Sequence, residues 1–186
     1  MALALLLGSL AACNSAPQFK STDVTGATFA RDFALTDHHG KQLSLADFRG
    51  KVVVLFFGFT HCPDACPTTL TEFAQMMKLL GKDAEHIQVL FVTVDPERDT
   101  EALLAQYVPS FHPDFLGLRG DAEATAKTAG EFKILYEKRP SGESYTMDHS
   151  AGTYIYDQAG RLRLFASYGM GAEALASDVR ALLREG

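Results

Sequence analysis

The chemistry of this sequence concentrates in Cys62-Pro63-Asp64-Ala65-Cys66. Two sulfurs four positions apart share one face where a loop becomes a helix, so both can point at one bound atom. Unpaired N–H groups and the helix dipole at such an N-terminus favour a thiolate and lower a cysteine pKa. Pro67 suits the first helical turn, where an N–H is not needed. Two soft thiolates select a soft ion, Cu(I) foremost, and a third ligand is then required to close the site. The same pair also suits a working redox dithiol or a plain disulfide, although so short a loop would restrain the unfolded chain little. Structural zinc usually takes four protein ligands, and no second Cys-x-x-Cys pair exists.

The elements that must position these sulfurs can be read from apolar periodicity. Residues 52–57, Val-Val-Val-Leu-Phe-Phe, form an unbroken apolar run that suits a central strand covered on both faces, and residues 89–94 form a second. Between them Leu70, Phe73, Met77 and Leu80 recur at helical spacing, which predicts a helix over about 66–80 capped by Gly81. Met76 and Met77 fall inside that period and read as core rather than as thioether ligands. Asp99, Thr100 and Glu101 carry acceptors suited to opening another helix. Strands are expected at 33–35, 152–156 and 162–166, and a last helix at 172–184 with Leu175, Val179 and Leu182 or Leu183 inward. His38 and His39 sit in a polar turn and are expected to face solvent. Such alternation predicts an α/β fold, a mixed central sheet flanked by helices.

At 186 residues the chain suits one domain with its own core. A formal net charge of −6 works against nucleic acid as a partner, since phosphate binding needs clustered Lys and Arg. Residues 1–12 read as the apolar region of a signal peptide, too short to span a bilayer comfortably. Leu10-Ala11-Ala12-Cys13 resembles the lipobox of bacterial lipoproteins, which implies lipidation at Cys13 and a membrane-anchored, extracytoplasmic protein. Residues 13–28, rich in Ser, Thr, Ala and Gly, read as anchor and flexible tether, with the globular domain over 29–186. Three cysteines then divide into one anchor and the pair Cys62 and Cys66, as an oxidising compartment allows.

Residues 58–67 (Gly-Phe-Thr-His-Cys-Pro-Asp-Ala-Cys-Pro), then 95–100 (Asp-Pro-Glu-Arg-Asp-Thr), then Asp148-His149-Ser150 closely resemble, in order, the signature series of the Sco/SenC family. The resemblance covers roughly residue 29 to the C-terminus. It implies a thioredoxin-like fold in which Cys62, Cys66 and His149 bind Cu(I) or Cu(II). The copper would pass to the CuA centre of cytochrome c oxidase, with subunit II or another copper chaperone as partner. It also implies a hairpin insertion before the histidine, for which residues 133–145 around Pro140-Ser141-Gly142 are available, and a role for Asp95 near the metal that is hard to separate from loop capping. Asp148 is expected to orient the His149 ring, and Met147 to pack or approach the metal weakly.

A rival reading is a periplasmic thiol-disulfide oxidoreductase using Cys62 and Cys66 as a redox pair without metal delivery. Against it stand the five-residue motif, where Cys-x-x-Cys is usual, and the imidazole at 149. A peroxiredoxin-like peroxidase ranks last, because the Pro-x-x-x-Thr/Ser-x-x-Cys pattern is absent before Cys62. A small domain with one metal site can act as a monomer, the expected state.

Overall fold

The computed structural model describes residues 18–186. Its order is β1 (Thr22–Asp23), β2 (Leu35–Asp37), β3 (Gln42–Leu43), β4 (Val52–Gly58), α1 (Ala65–Leu80), β5 (Ile87–Thr93) and α2 (Glu101–Tyr107). There follow β6 (Leu116–Arg119), α3 (Ala122–Glu131), β7 (Tyr136–Ser141), β8 (Ser144–His149), β9 (Thr153–Tyr156), β10 (Leu162–Ala166) and α4 (Ala172–Leu183). Eight strands form one sheet in the order β1-β10-β9-β4-β5-β6-β2-β3, and β7 with β8 form a separate hairpin. β4, β5 and β6 run parallel, and the other neighbours are antiparallel.

Both apolar runs became the centre of this sheet, with every residue of β4 and β5 buried, so both faces are covered. Phe56 meets Phe73 of α1 edge-on at 6.2 Å, while its neighbour Phe57 meets Phe132, just past α3, at 5.1 Å. Successive strand side chains point to opposite faces, so α1 and the end of α3 cover opposite sides of the sheet. Met76 and Met77 are buried on α1 as the period predicts, and α4 packs on α1 with the Arg180 guanidinium donating to the Leu79 carbonyl. In α4 it is Leu182 that is buried, with Leu183 only partly so.

Three expectations need correction. The fold starts before residue 29: β1 pairs with β10, and the Lys20 and Ser21 N–H groups each donate to the buried Asp178 carboxylate at 2.7 Å. That carboxylate supplies acceptors which a tether of this composition was not expected to find. His38 is buried rather than solvent-facing, its Nδ1 accepting the Gly117 N–H at 3.0 Å. Thr100 alone caps α2, accepting from Leu103 N–H, while Asp99 turns back into the core. Residues 1–17, which hold the segment read as a signal, Cys13 and the first part of the tether, lie outside the described residues.

The topology dictates where chemistry can occur. Gly58 lies beside Thr93, so the loops leaving the parallel strands β4 and β5 emerge together. β9 runs antiparallel to β4 with Thr153 opposite Phe56, so the segment entering β9 arrives at that same edge. Crevices outside the carboxyl ends of parallel strands are where α/β sheets place ligands.

Candidate metal and thiol site

The cysteine loop leaves β4 at Gly58, where only glycine fits. A Cβ there would stand 2.7 Å from the Phe91 ring and 2.9 Å from the Cys66 sulfur. The loop is pinned by Asp99, fully buried, whose carboxylate accepts from the Thr60 N–H at 3.1 Å, the Thr60 hydroxyl at 2.6 Å and the Thr93 hydroxyl at 2.5 Å. Thr93 in turn accepts the Asp95 N–H at 2.9 Å. The loops after β4 and β5 are thereby one hydrogen-bonded body, a role for Asp99 that sequence reasoning missed. Its signal was the acidic residue closing Asp-Pro-Glu-Arg-Asp, indistinguishable in one dimension from a helix cap.

α1 begins at Ala65 with no oxygen side chain capping it; the Cys66 N–H donates instead to the Cys62 sulfur at 3.4 Å. Both cysteines are free thiols, Cys62 partly exposed and Cys66 fully buried. The expectation of a depressed thiol pKa fails for Cys66. Burial pushes it well up, outweighing a Phe59 backbone hydrogen bond that works the other way, so the metal-free site holds a protonated Cys66. Behind the sulfurs the Tyr107 hydroxyl is buried without a hydrogen-bond partner. Burial first, then the neighbouring Cys66, Cys62 and Asp99, keeps it un-ionised.

His149 closes β8 and brings its ring against this pair. Its Nε2 lies 3.9 Å from Cys66 Sγ. Nδ1 is 3.0 Å from the Ser150 carbonyl, which can only accept, so Nδ1 carries the proton and the Nε2 lone pair faces the sulfur. Burial pushes the ring's pKa down, against the Ser150 hydrogen bond and the Asp148 charge, and favours the neutral imidazole that a metal requires. Phe59 packs edge-on to the ring at 5.9 Å and Phe56 at 6.4 Å. Asp148 does not orient this ring: its exposed carboxylate pairs with Arg139 Nε at 3.2 Å. Met147 is buried under the hairpin beside a cavity of about 140 Å³ that Asp95 and Thr125 also line, which makes it a packing residue.

Among the described residues no three His, Cys, Asp or Glu side chains already stand together at metal-ligating separations. Cys66 and His149 face each other, while Cys62 sulfur caps the helix. Asp95, whose role was open between metal site and loop cap, is 1% exposed and ties its loop to the hairpin, accepting from Arg98 Nε at 2.5 Å and the Tyr145 hydroxyl at 2.9 Å.

A cysteine pair at a helix N-terminus, faced by a loop entering an antiparallel central strand, defines this as a thioredoxin-like α/β protein carrying a dithiol and an imidazole. The family model described as SCO1/SenC matches residues 21–184, and the chain belongs to that family. It is 42% identical over 153 residues to the mitochondrial protein SCO2 homolog of Bos taurus, covering 80% of this chain and 58% of that one. The chain thus spans less than two thirds of that relative's length. Among solved structures it resembles copper-bound ScoI of Bradyrhizobium japonicum, with 39% identity, a TM-score of 0.74, and 80% and 96% of the two chains covered. It also resembles apo Sco1 of Thermus thermophilus, with 40% identity, a TM-score of 0.78, and 89% and 97% covered. No helix of the described residues is long and apolar enough to cross a membrane.

Proposed function

We propose that this protein is a metallochaperone that holds copper through Cys62, Cys66 and His149 and passes it to a copper centre during cytochrome c oxidase assembly. The observation that carries the reading is the approach of the buried Cys66 sulfur to the free Nε2 lone pair of His149 at 3.9 Å. Thiolates and an imidazole are a donor set for Cu(I) that also tolerates Cu(II), and copper is here the cargo. Loading needs the pair reduced, since a Cys62–Cys66 disulfide has no thiolates to offer. The family membership and the copper-bound ScoI relative support the choice of metal. Lipid anchoring at Cys13 on the extracytoplasmic side, a monomeric state and oxidase subunit II or another chaperone as partner belong to the same proposal.

Anaerobic titration of the reduced chain with Cu(I) and Cu(II), read by stoichiometry and sulfur-to-copper absorption, tests the site. One tight equivalent is expected, lost in Cys62→Ser and Cys66→Ser, and weakened with an altered spectrum in His149→Ala. Wild-type affinity in either cysteine variant would sink the assignment.

The free thiols also support a second reading, thiol-disulfide exchange. Partly exposed Cys62 would attack a target disulfide and buried Cys66 would resolve it, giving up two electrons and two protons in all. Copper binding indifferent to His149 would favour this reading.

A further inference from the structure

We propose that Arg98 and Tyr145 form a latch that holds the β7–β8 hairpin, and with it His149, against Cys66, so that opening of the latch governs release of the metal. The inference rests on the copper reading above and adds positioning residues to it.

The hairpin has no strand partner in the main sheet, so the ladder that pairs His149 with Tyr136 does not itself fix His149 against that sheet. At its base Ser150 N–H donates to the Leu135 carbonyl at 2.9 Å, and Leu135 N–H to the Ser150 hydroxyl at 3.1 Å. Along its length the attachment is made by Arg98. Its Nε donates to Asp95 at 2.5 Å, its Nη1 donates to the Tyr145 carbonyl at 2.8 Å, and its guanidinium carbon stands 3.7 Å from the Tyr145 ring centroid. Tyr145 completes a ring of contacts by donating its hydroxyl to the other Asp95 oxygen. A planar guanidinium, with donors in a fixed fork and a flat face that stacks on a ring, serves a carboxylate, a carbonyl and an aromatic face at once. The carboxylate it grips is fully shielded and the guanidinium is 19% exposed, so these bonds are far less screened than the exposed Lys138–Glu97 pair at the hairpin's rim. Apolar packing beneath the hairpin is incomplete, because Met147 borders a cavity. Arg98 also approaches the Phe59 ring at 5.9 Å, and that ring stands edge-on to His149. The latch therefore touches both the hairpin and the wall of the site.

The test uses the full reduced chain with Arg98→Gln, Tyr145→Leu, the double variant and Tyr145→Phe, which keeps the ring and the carbonyl contact. In the metal-free protein, amide hydrogen exchange across 144–149 should quicken about ten-fold in either disruptive single variant and no further in the double, with β4 and β5 amides unchanged. Cu(I) release to an excess of chelator should quicken by about the same factor, and Tyr145→Phe, which keeps the ring over Arg98 but loses the hydroxyl bond to Asp95, should fall between wild type and Tyr145→Leu on both readouts. Unchanged hairpin exchange, additive effects, exchange that rises equally throughout the fold, or copper release that ignores an opened hairpin would each overturn the latch. If wild-type copper binding ignores His149→Ala, the copper reading falls and the release claim with it. The exchange arm still decides whether Arg98 and Tyr145 hold the hairpin.

Discussion

Cys66 Sγ and His149 Nε2 face each other at 3.9 Å although 83 positions separate them in the chain. Burial keeps both in their neutral forms, the thiol by raising its pKa and the imidazole by lowering its own. The metal-free site is thus a protonated thiol within hydrogen-bond reach of the imidazole lone pair, and binding a soft cation must expel the thiol proton.

Copper affinity should therefore rise with pH, by about ten-fold per pH unit for each proton displaced, between about pH 6 and pH 8. Competition titrations against a calibrated chelator check this, and a flat profile would mean that Cys66 is already ionised. The reduced metal-free fold has the opposite dependence. Because the folded Cys66 pKa lies above the unfolded value, its contribution is fully present below about pH 8.5 and is lost as pH rises above that. The urea midpoint of wild type should fall there relative to Cys66→Ala.

Gly58→Ala should lower stability by about 1–3 kcal/mol, since the added methyl meets Phe91, Phe56 and the Cys66 sulfur in a packed core. Because the Cys66 sulfur is one of the atoms that must yield, alkylation of Cys66 should quicken more than that of Cys62. Equal rates in wild type and variant would show that the sulfur had not moved.

Asp99→Ala leaves the buried Thr93 hydroxyl and the half-buried Thr60 N–H and hydroxyl without their acceptor. A loss of about 3 kcal/mol is expected from chemical denaturation, with amide exchange faster in residues 58–64 than in α4. A loss under about 1 kcal/mol would mean that water replaces the carboxylate at no great cost.

His38 accepts the Gly117 N–H on Nδ1, so protonating that nitrogen would break a buried hydrogen bond. Burial, aided by His39, lowers its pKa in the fold. Stability from this group is present above about pH 6.5 and declines as pH falls towards the folded value. His38→Asn, which offers an oxygen in place of Nδ1, should abolish that part of the acid slope in urea midpoints. An unchanged slope would assign it to other groups.

Much of the frame was legible because burial on two faces leaves an unmistakable mark on a strand. The runs that became β4 and β5, the period of α1 with Met76 and Met77 inside it, and Gly81 at its end each express a local rule. Residues 133–145 held most of the hairpin, although its second strand continues through His149. What escaped were residues whose partners lie far along the chain. Asp99 looked like a cap until Thr60 was seen to need it. His38 looked like a turn residue until Gly117 was found to donate to it. The start of the fold was misjudged because Ser21 meets an acceptor at Asp178.

By itself the sequence determined the donor types, two sulfurs four positions apart where a loop becomes a helix and a histidine in a recognisable motif, together with the buried strands that carry the cysteine loop. Only the tertiary structure decided their states and reach. Burial reversed the expected ionisation of Cys66, the Ser150 carbonyl chose the tautomer of His149, and Arg98 with Tyr145 tied the hairpin to the loop after β5. The division has one physical cause. Residue type and local spacing are properties of a few neighbouring positions, whereas solvent exclusion and hydrogen-bond partnership exist only once distant segments have packed.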